Sequence, residues 1–178
     1  MPLRIEFAKL GTNGFGATFG DLVLSDGNTE ILRVKAFSGG NSFNPLDDGT
    51  YRVRLDIRGG VETNVANADG TLQPFYGIQQ VGGSVPDPAG NPLNMQWEWG
   101  SIRARLNPTD GGTDHGDYIH GKQRPDDWTH GCICDRSEAI LQRLWQSTEK
   151  NVDVVVSGGA LISLEQVITK NIGTRRQS

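Results

Sequence analysis

Alternating apolar and polar positions are the clearest pattern in the first third of the chain, and they predict β-strands. In residues 20–37 two apolar runs flank the tetrapeptide SDGN at 25–28, and an Asp-Gly turn between apolar runs predicts a β-hairpin. Residues 51–57 alternate without interruption, which predicts another strand with one buried face. The residues expected to face the core are Leu32, Val34 and Ala36 in the hairpin, and Tyr51, Val53, Leu55 and Ile57 in the other strand.

The middle of the chain is rich in turn formers and is followed by a new apolar stretch. Residues 58–96 contain many Gly, Pro, Asn and Asp residues, which predicts a long decorated loop with one strand near 75–81. Trp97 and Trp99 alternate at the start of the next stretch, so we expect them to share one face of a strand that continues to Leu106.

The last third of the chain predicts two short strands with one helix between them. Residues 117–120 follow a Gly/Asp loop and predict the first strand, and the β-branched run VDVVV at 152–156 predicts the second. Asp135 to Glu138 resemble a capping box, so we expect a helix to begin near Arg136. Apolar residues then recur at helical spacing, at Ile140, Leu141, Leu144 and Trp145.

These elements together predict a mainly β protein with a single domain over residues 1–178. We expect an antiparallel or mixed sheet bent toward a sandwich, with one helix after the second cysteine. The chain has 24 glycines among 178 residues, which suits short strands joined by tight turns. Residues 174–178 are expected to fray.

Charge and composition exclude several classes of function. The net charge is −4 and the pI is about 5.3, whereas nucleic-acid-binding domains are usually basic, so a nucleic-acid partner is not expected. No stretch reaches the roughly 18 apolar residues of a membrane span. The opening residues MPLRIEFAKL lack the apolar centre of a signal peptide, so we expect a cytoplasmic chain unless another route exports it or a leader was removed.

The reactive side chains are clustered, because all three histidines and both cysteines lie within residues 115–134. A thiol is a weak nucleophile at neutral pH, and a nearby imidazole helps to generate the thiolate. We therefore expect Cys132 to be a nucleophile and His120 its base, with the carbonyl of Gly121 holding the imidazole tautomer. Cys132 is expected on a turn just before the helix, where the amide of Gly131 or of Cys132 would form an oxyanion hole.

Several neighbouring residues have both a functional and a structural interpretation. His130 either orients the substrate or the thiolate, or stabilises a turn. Trp97 and Trp99 either pack in the core or line a substrate groove. Cys134 either packs in the interior or forms a reversible bond with Cys132, and a pair separated by one residue cannot staple distant segments.

Charged residues near the cluster are expected to be solvated. They are His115, Arg103, Arg105, Asp126 and Asp127. The two arginines share a strand face and are also candidates to receive a substrate carboxylate. The two aspartates lie between the His and Cys motifs and are also candidates to meet a substrate ammonium group.

The segments Ile-His-Gly at 119–121 and Thr-His-Gly-Cys-Ile at 129–133 resemble the active-site signature of the L,D-transpeptidases, the YkuD-like catalytic domain. Upstream, Ser-Gly-Gly at 38–40 and residues 45–51 resemble the glycine loop and strand entry of that family, so the resemblance covers about residues 20–157. It implies a core over those residues, a bent β-sandwich of the L,D-transpeptidase type, no cofactor and no metal. The implied substrate is the stem peptide of peptidoglycan, and the residues expected to contact it are Tyr118, Thr129, Trp97 and Trp99.

The resemblance also implies a reaction. Cys132 would form a thioester with the L-centre carbonyl that precedes a terminal D-amino acid of the stem tetrapeptide. An amine acceptor would then give a cross-link or D-amino acid exchange, which is L,D-transpeptidase activity. Water would give L,D-carboxypeptidase activity.

Two departures from the family pattern stand out. His120 and Cys132 are only twelve positions apart, and Cys134 occupies the position that is usually Arg or Asn. A short loop and no visible signal peptide resemble the subset of these enzymes that type VI secretion injects into rival bacteria as toxins. That resemblance implies action in the periplasm or cell wall, with a secretion apparatus and an immunity protein as partners.

Two alternatives use the same residues. A different cysteine hydrolase, such as a peptidoglycan amidase or endopeptidase, would use the same dyad on another bond. A non-catalytic zinc-binding module would use acceptable zinc ligands whose spacing fits no standard zinc pattern. Those ligands are His115, His120, His130, Cys132 and Cys134.

Overall fold

An eleven-stranded sheet organises the part of the chain that the structure describes, residues 2–158 of a computed structural model. The strands within these residues are β1 (Leu3–Thr12), β2 (Thr18–Asp26), β3 (Thr29–Ser38), β4 (Gly49–Arg54), β5 (Arg58–Gly59), β6 (Ile78–Gln80), β7 (Val85–Pro86), β8 (Pro92–Leu93), β9 (Ile102–Arg105), β10 (Asn107–Pro108), β11 (Tyr118–His120), β12 (Ile133–Cys134) and β13 (Asn151–Ser157). The helices are α1 (Gln96–Trp99) and α2 (Ala139–Gln146). The order in the large sheet is β10-β4-β13-β1-β2-β3-β12-β11-β9-β6-β5, while β7 pairs with β8. The mainly β class, with one longer helix after the cysteines, is confirmed.

The alternation in the first third of the chain is confirmed as strand structure. β2 and β3 form the antiparallel hairpin, with Asp26 paired to Thr29 across the Asp-Gly turn. Ala36 is buried, and Leu32 and Val34 pack against the core from half-buried positions. The third predicted strand forms as β4 but ends at Arg54. Tyr51, Val53 and Leu55 are buried as expected, and Ile57, beyond the strand, is half-buried.

Residues Leu3–Thr12 form a strand, β1, that the sequence analysis did not predict. β1 lies in the middle of the sheet, antiparallel to β2 and parallel to β13. Leu3, Ile5 and Phe7 alternate with exposed residues and join the main apolar core, because successive side chains of a strand point to opposite faces. The core therefore begins before residue 20, earlier than the family resemblance implied.

The predicted capping box is wrong, and α2 begins three residues later than expected. Asp135 accepts hydrogen bonds from the amide and hydroxyl of Ser137. Glu138 adopts a left-handed conformation, with φ of 56°, and its carboxylate accepts a hydrogen bond from the amide of Ser101 at 2.9 Å. Because Glu138 binds a distant turn, it does not reach back to cap the helix. β12 also separates Cys132 from α2, so the helix terminus cannot act on the thiol.

Trp97 and Trp99 lie on the short helix α1, so the expectation that they share one face of a strand is also wrong. Asn94 starts the turn of α1 by accepting hydrogen bonds from the amides of Gln96 and Trp97. Gly100 ends it with a φ of 66°, a conformation that favours glycine. Trp97 and Trp99 are therefore neighbours on one short helical turn.

The long segment 58–96 adds β5 and β6 to one edge of the sheet, and its residues 73–79 contact the polar face of β9. It contains β5 to β8, of which β6 matches the strand expected near 75–81. Arg103 and Arg105 on β9 lie beneath this segment, and their exposed fractions are 0% and 6%. The expectation that both arginines are solvated is therefore wrong, because the polar face of β9 is buried under this segment.

The late strand predicted at 152–156 forms as β13 and is confirmed. Residues 174–178, expected to fray, lie outside the described residues. No helix within residues 2–158 is long and apolar enough to cross a membrane.

Candidate functional site

The ends of two parallel strands bring the predicted dyad to one place. β11 ends at His120, and β12 begins directly after Cys132. The two strands pair in parallel, with Ile119 opposite Ile133 on the core face. Since side chains alternate along a strand, Tyr118 and His120 point to the opposite face. His120 and Cys132 both line one cavity of about 400 Å³ on that side.

His120 is held as a neutral imidazole. Its exposed fraction is 5%, and its Nδ1 donates a hydrogen bond to the carbonyl oxygen of Gly121. A carbonyl oxygen only accepts, so Nδ1 carries the proton and Nε2 has the free lone pair. Burial lowers the pKa of His120 to about 4. The imidazole is therefore uncharged at neutral pH and able to take a proton on Nε2.

Cys132 is a buried thiol with two polar contacts. Its exposed fraction is 8%, and its Sγ accepts a hydrogen bond from the amide of Tyr118 at 3.3 Å. The thiol donates to the carboxylate of Asp117 at 3.9 Å. Burial and, to a smaller extent, the charge of Asp117 raise the pKa of Cys132 to about 12. In the described structure no hydrogen bond joins the sulfur to His120, so the ligand-free site holds a thiol and a neutral imidazole rather than an ion pair.

Asp117 is a member of the site that sequence reasoning missed. It precedes β11, and burial raises the pKa of its carboxyl group. The position directly before Tyr118 was predicted to begin a strand, and nothing in the local pattern places its carboxylate beside a residue fifteen positions away. The signal that would have found it is the parallel pairing of β11 with β12.

Thr129 organises the backbone around Cys132. Its hydroxyl oxygen accepts hydrogen bonds from the amides of Gly39 at 2.9 Å and Gly131 at 3.1 Å. The same hydroxyl donates to the carbonyl of Cys132 at 2.7 Å. Ser38 donates to the carbonyl of Gly131 at 2.9 Å, so the upstream Ser-Gly-Gly segment supports the downstream Cys motif directly. The amide of Gly131 already donates to Thr129, whereas the amide of Cys132 was the other one expected to form an oxyanion hole.

Gly131 and Gly121 are both positions that a side chain would disturb. Gly131 has a φ of 133°, and a Cβ built there would lie 3.0 Å from Oδ1 of Asp117. A Cβ at Gly121 would lie 2.6 Å from the carboxyl carbon of Glu138. The two glycines of the motif therefore allow the close packing that holds His120 and Cys132 in place.

The predicted substrate residues differ in where the structure puts them. Trp97, Trp99 and Thr129 line the cavity, and Trp97 is 47% exposed. Trp99 packs edge-on against the rings of Tyr118 and His120, each 5.0 Å away. The Tyr118 side chain is buried outside the cavity lining, where its hydroxyl accepts hydrogen bonds from the amide of Phe75 and from Arg105. Tyr118 does not line the cavity and contacts Cys132 through its amide, so a contact of its side chain with substrate stays a prediction.

His130 belongs to an aromatic cluster at the rim of the cavity. Its ring stacks on Phe43 with centroids 4.2 Å apart, and Trp128 lies 5.5 Å from His130. His130 is exposed and lines the cavity. The structure thus places His130 at the cavity, stacked on aromatic neighbours.

Arg136 fixes the short loop between the two motifs, residues 121–131. Its guanidinium donates to the carbonyls of Lys122, Arg124 and Asp126, and its Nε donates to the carboxylate of Asp127 at 2.7 Å. Lys122 is buried and donates to the carbonyl of Trp128. Asp126 is mostly buried and paired with Lys122 and Arg124, whereas Asp127 is paired with Arg136 and stays about half exposed to solvent, as expected.

Replacing Arg136 by alanine is expected to lower the free energy of unfolding by about 1–3 kcal/mol, because four hydrogen bonds from one cation are lost together. Urea unfolding measures the loss, and hydrogen exchange should accelerate mainly at the amides of residues 121–131. The matched control is Arg52→Ala, which removes an exposed ion pair with Asp153 and should change the free energy by about 0.5 kcal/mol or less. Equal effects of the two substitutions would contradict the role given to Arg136.

Two further candidate residues, Cys134 and His115, do not line the cavity. Cys134 is fully buried and packs with Ala17 and Phe37, and both cysteines are free thiols. His115 is exposed, 3.5 Å from a carboxylate oxygen of Asp47. Among residues 2–158 no three His, Cys, Asp or Glu side chains come together as a group that could hold a metal ion.

Comparison with solved structures finds four matching chains. An L,D-transpeptidase from Mycobacterium smegmatis superposes with a TM-score of 0.39 and 14% sequence identity, over 88% of this chain and 59% of that chain. The present chain thus spans less than two thirds of that protein. No family model matches the chain, and no curated protein matches it.

Proposed function

We propose that this protein is a cysteine acyltransferase acting on peptidoglycan stem tetrapeptides, with L,D-carboxypeptidase and L,D-transpeptidase activity. The observation that carries the proposal is the pairing of Cys132 and His120 in one cavity, with Nδ1 of His120 tied to the carbonyl of Gly121. This arrangement leaves Nε2 of His120 free to accept a proton in the cavity that Cys132 also lines, as a general base for a thiol nucleophile requires. The substrate class follows from the resemblance of residues 119–121 and 129–133 to the L,D-transpeptidase signature.

The chemistry begins with a neutral thiol. Nε2 of His120 takes the proton as Sγ of Cys132 attacks the carbonyl carbon before the terminal D-alanine, and the carbonyl electron pair moves to oxygen. The tetrahedral intermediate collapses as its C–N bond breaks, and the proton on His120 passes to the departing amine. The products of this half-reaction are free D-alanine and a thioester.

The second half-reaction releases the acyl group. Water or an amine attacks the thioester carbonyl, its proton moves to Nε2 of His120, and the C–S bond breaks. The sulfur then recovers that proton as a thiol. Water gives a tripeptide stem, and an amine gives an exchanged or cross-linked stem.

Oxyanion stabilisation falls to the amide of Cys132, because Thr129 occupies the amide of Gly131. Thr129 also fixes the carbonyl of Cys132, which orients the peptide groups on both sides of the nucleophile. The usual Arg or Asn of the family is replaced by the buried Cys134, so that position does not supply a charge.

We expect trimming to be at least as prominent as cross-linking. The loop at residues 121–131 is short and is held close to the sheet by Arg136, whereas a longer loop would help to wall the cavity. Trp97 lines the cavity and is half exposed, so water has access to a thioester there. In the cell we propose that the protein acts on periplasmic peptidoglycan as a secreted antibacterial effector, countered by an immunity protein in the producing cell.

Mass analysis of muropeptides tests the proposal. Purified tetrapeptide muropeptides incubated with the protein should yield tripeptides, and added D-methionine should yield the exchanged tetrapeptide. Release of an intact tetrapeptide from the sugar would identify an amidase, and cleavage between cross-linked stems would identify an endopeptidase. Unchanged muropeptides with a folded protein would contradict the proposed substrate.

A further inference from the structure

Arg103 is a fully buried cation that has no acidic partner among residues 2–158. Its Nε donates to the side-chain oxygen of Gln79 at 2.9 Å, and its Nη2 donates to the carbonyl of Gln73 at 2.6 Å. Within the described structure Nη1 has no hydrogen-bond partner. A buried charge without a counter-ion is costly, so its presence calls for a reason other than stability.

Arg105, on the same strand, differs from Arg103 because its charge is paired with a carboxylate. Arg105 lies two residues further along β9, on the same face, and is also buried. It forms an ion pair with Asp114 at 3.1 Å and donates to the hydroxyl of Tyr118. Burial lowers the pKa of Arg103 to about 10, which records the cost of a charge that neutral oxygens alone satisfy.

Arg103 lies next to the residues that hold the dyad. It is the cross-strand partner of His120 in the β9–β11 pair. Its guanidinium stacks over Tyr118 at 4.4 Å and over Trp99 at 4.5 Å. The amide of Tyr118 donates to Sγ of Cys132, so Tyr118 contacts both the guanidinium of Arg103 and the sulfur of the proposed nucleophile.

We propose that Arg103 is a positioning residue whose uncompensated positive charge stabilises negative charge on Cys132 during acyl transfer. The proposal deepens the proposed function, since it rests on Cys132 being the nucleophile.

The charges facing the thiol give the expected sign. Asp117 opposes the thiolate, whereas Arg103 and Arg105 favour it. The charge of Arg105 is offset by Asp114, so Arg103 is the cation that counters Asp117. Removing Arg103 should therefore raise the pKa of Cys132 further, and restoring a cation should lower it again.

Alkylation of Cys132 by iodoacetamide tests the proposal without any peptidoglycan substrate. The background is Cys134→Ala, so that one thiol reacts, and rates are measured from pH 7 to pH 10. Arg103→Met and Arg103→Gln should each slow alkylation by about threefold to tenfold at a given pH, because less thiolate is present. Arg103→Lys should recover at least half of the loss on a logarithmic scale, because it keeps the charge.

The control removes the neighbouring balanced pair. The double variant Arg105→Met with Asp114→Asn deletes one positive and one negative charge and should alkylate within about twofold of the parent. Circular dichroism and thermal melting confirm folding, and the Gln variant decides the outcome if the Met variant fails to fold. Alkylation of folded uncharged variants at the parent rate would overturn the proposal, and so would equal slowing in the control.

The two proposals fail in distinguishable ways. If the protein leaves muropeptides unchanged, the proposed substrate is lost, yet alkylation still shows whether Arg103 sets the reactivity of Cys132. If turnover is present and Arg103→Met changes KM for stems with a free carboxylate but leaves alkylation unchanged, Arg103 is a carboxylate receptor and the present inference is wrong.

Discussion

Replacing Cys132 by alanine is expected to lower D-alanine release from stem tetrapeptides by roughly 10⁴-fold or more, because no thioester can form without the sulfur. The substitution removes one atom from a cavity wall, so the fold should survive with a loss of about 1 kcal/mol in the free energy of unfolding. Quantitative mass analysis of muropeptides gives the rate, and circular dichroism confirms the fold.

Cys134→Ala is the matched control, since it removes the second thiol from a site that packs with Ala17 and Phe37 away from the cavity. This variant should keep most of its turnover and show only a lower melting temperature. Substantial turnover in a folded Cys132→Ala protein would remove the mechanism.

The same pair of variants separates envelope chemistry from other toxicity. Directed to the periplasm of a susceptible cell, the native protein should impair growth or deform the envelope, and Cys132→Ala should be harmless. Kept in the cytoplasm, both should be harmless, because mature peptidoglycan is absent there. Cytoplasmic toxicity that persists in Cys132→Ala would contradict the proposed substrate and the mechanism together.

Alternation of apolar and polar residues predicted the β2–β3 hairpin and β4, but it did not predict which strands pair with each other in the sheet. The hairpin and β4 follow from period-two patterns whose apolar side must be buried. The same alternation is present in β1, where Leu3, Ile5 and Phe7 are buried. Its central position depends on pairing with β13, nearly 150 residues away, which no local pattern encodes.

The buried arginines show a second limit of pattern reasoning. Alternation separates Ile102 and Ala104 from Arg103 and Arg105, and it correctly assigns the apolar pair to the core. It does not reveal what covers the polar face. Here residues 58–96 fold over that face, and their glutamines and carbonyls satisfy part of the guanidinium.

The candidate site was predicted in its reactive residues and not in its supporting contacts. The sequence predicted His120 at the end of a strand and Cys132 on a turn, and the pairing of β11 with β12 brings both to one cavity. Thr129 makes three hydrogen bonds, and one of them takes up the amide of Gly131 that was expected in the oxyanion hole. Such competition is decided by distances of a few tenths of an ångström, which residue types alone do not fix.

Replacing His120 by glutamine is expected to lower the acylation rate at least about 10²-fold, because an amide side chain cannot accept the proton that Nε2 of His120 takes from the thiol. Acylation by stem tetrapeptide is measured by intact-protein mass spectrometry under single-turnover conditions. The thiol of Cys132 stays protonated across the neutral range, so its proton must be removed during attack. Retention of the native rate in the folded variant would move the role to another group, and Asp117 and His130 are then the residues to test.

The pH dependence distinguishes a neutral dyad from a preformed ion pair. The active form of the base is the unprotonated imidazole, and burial holds the pKa of His120 at about 4. Activity measured as kcat/KM should therefore be constant from neutral pH down to about pH 5 and fall as the pH drops through 4, where His120 takes up a proton. An unperturbed histidine would place that fall near 6.5. In His120→Gln the acid limb should disappear, with circular dichroism at pH 4 as the control for folding. An ion pair would instead make Cys132 alkylate rapidly at pH 6, and that result would contradict the neutral resting state assigned to the site.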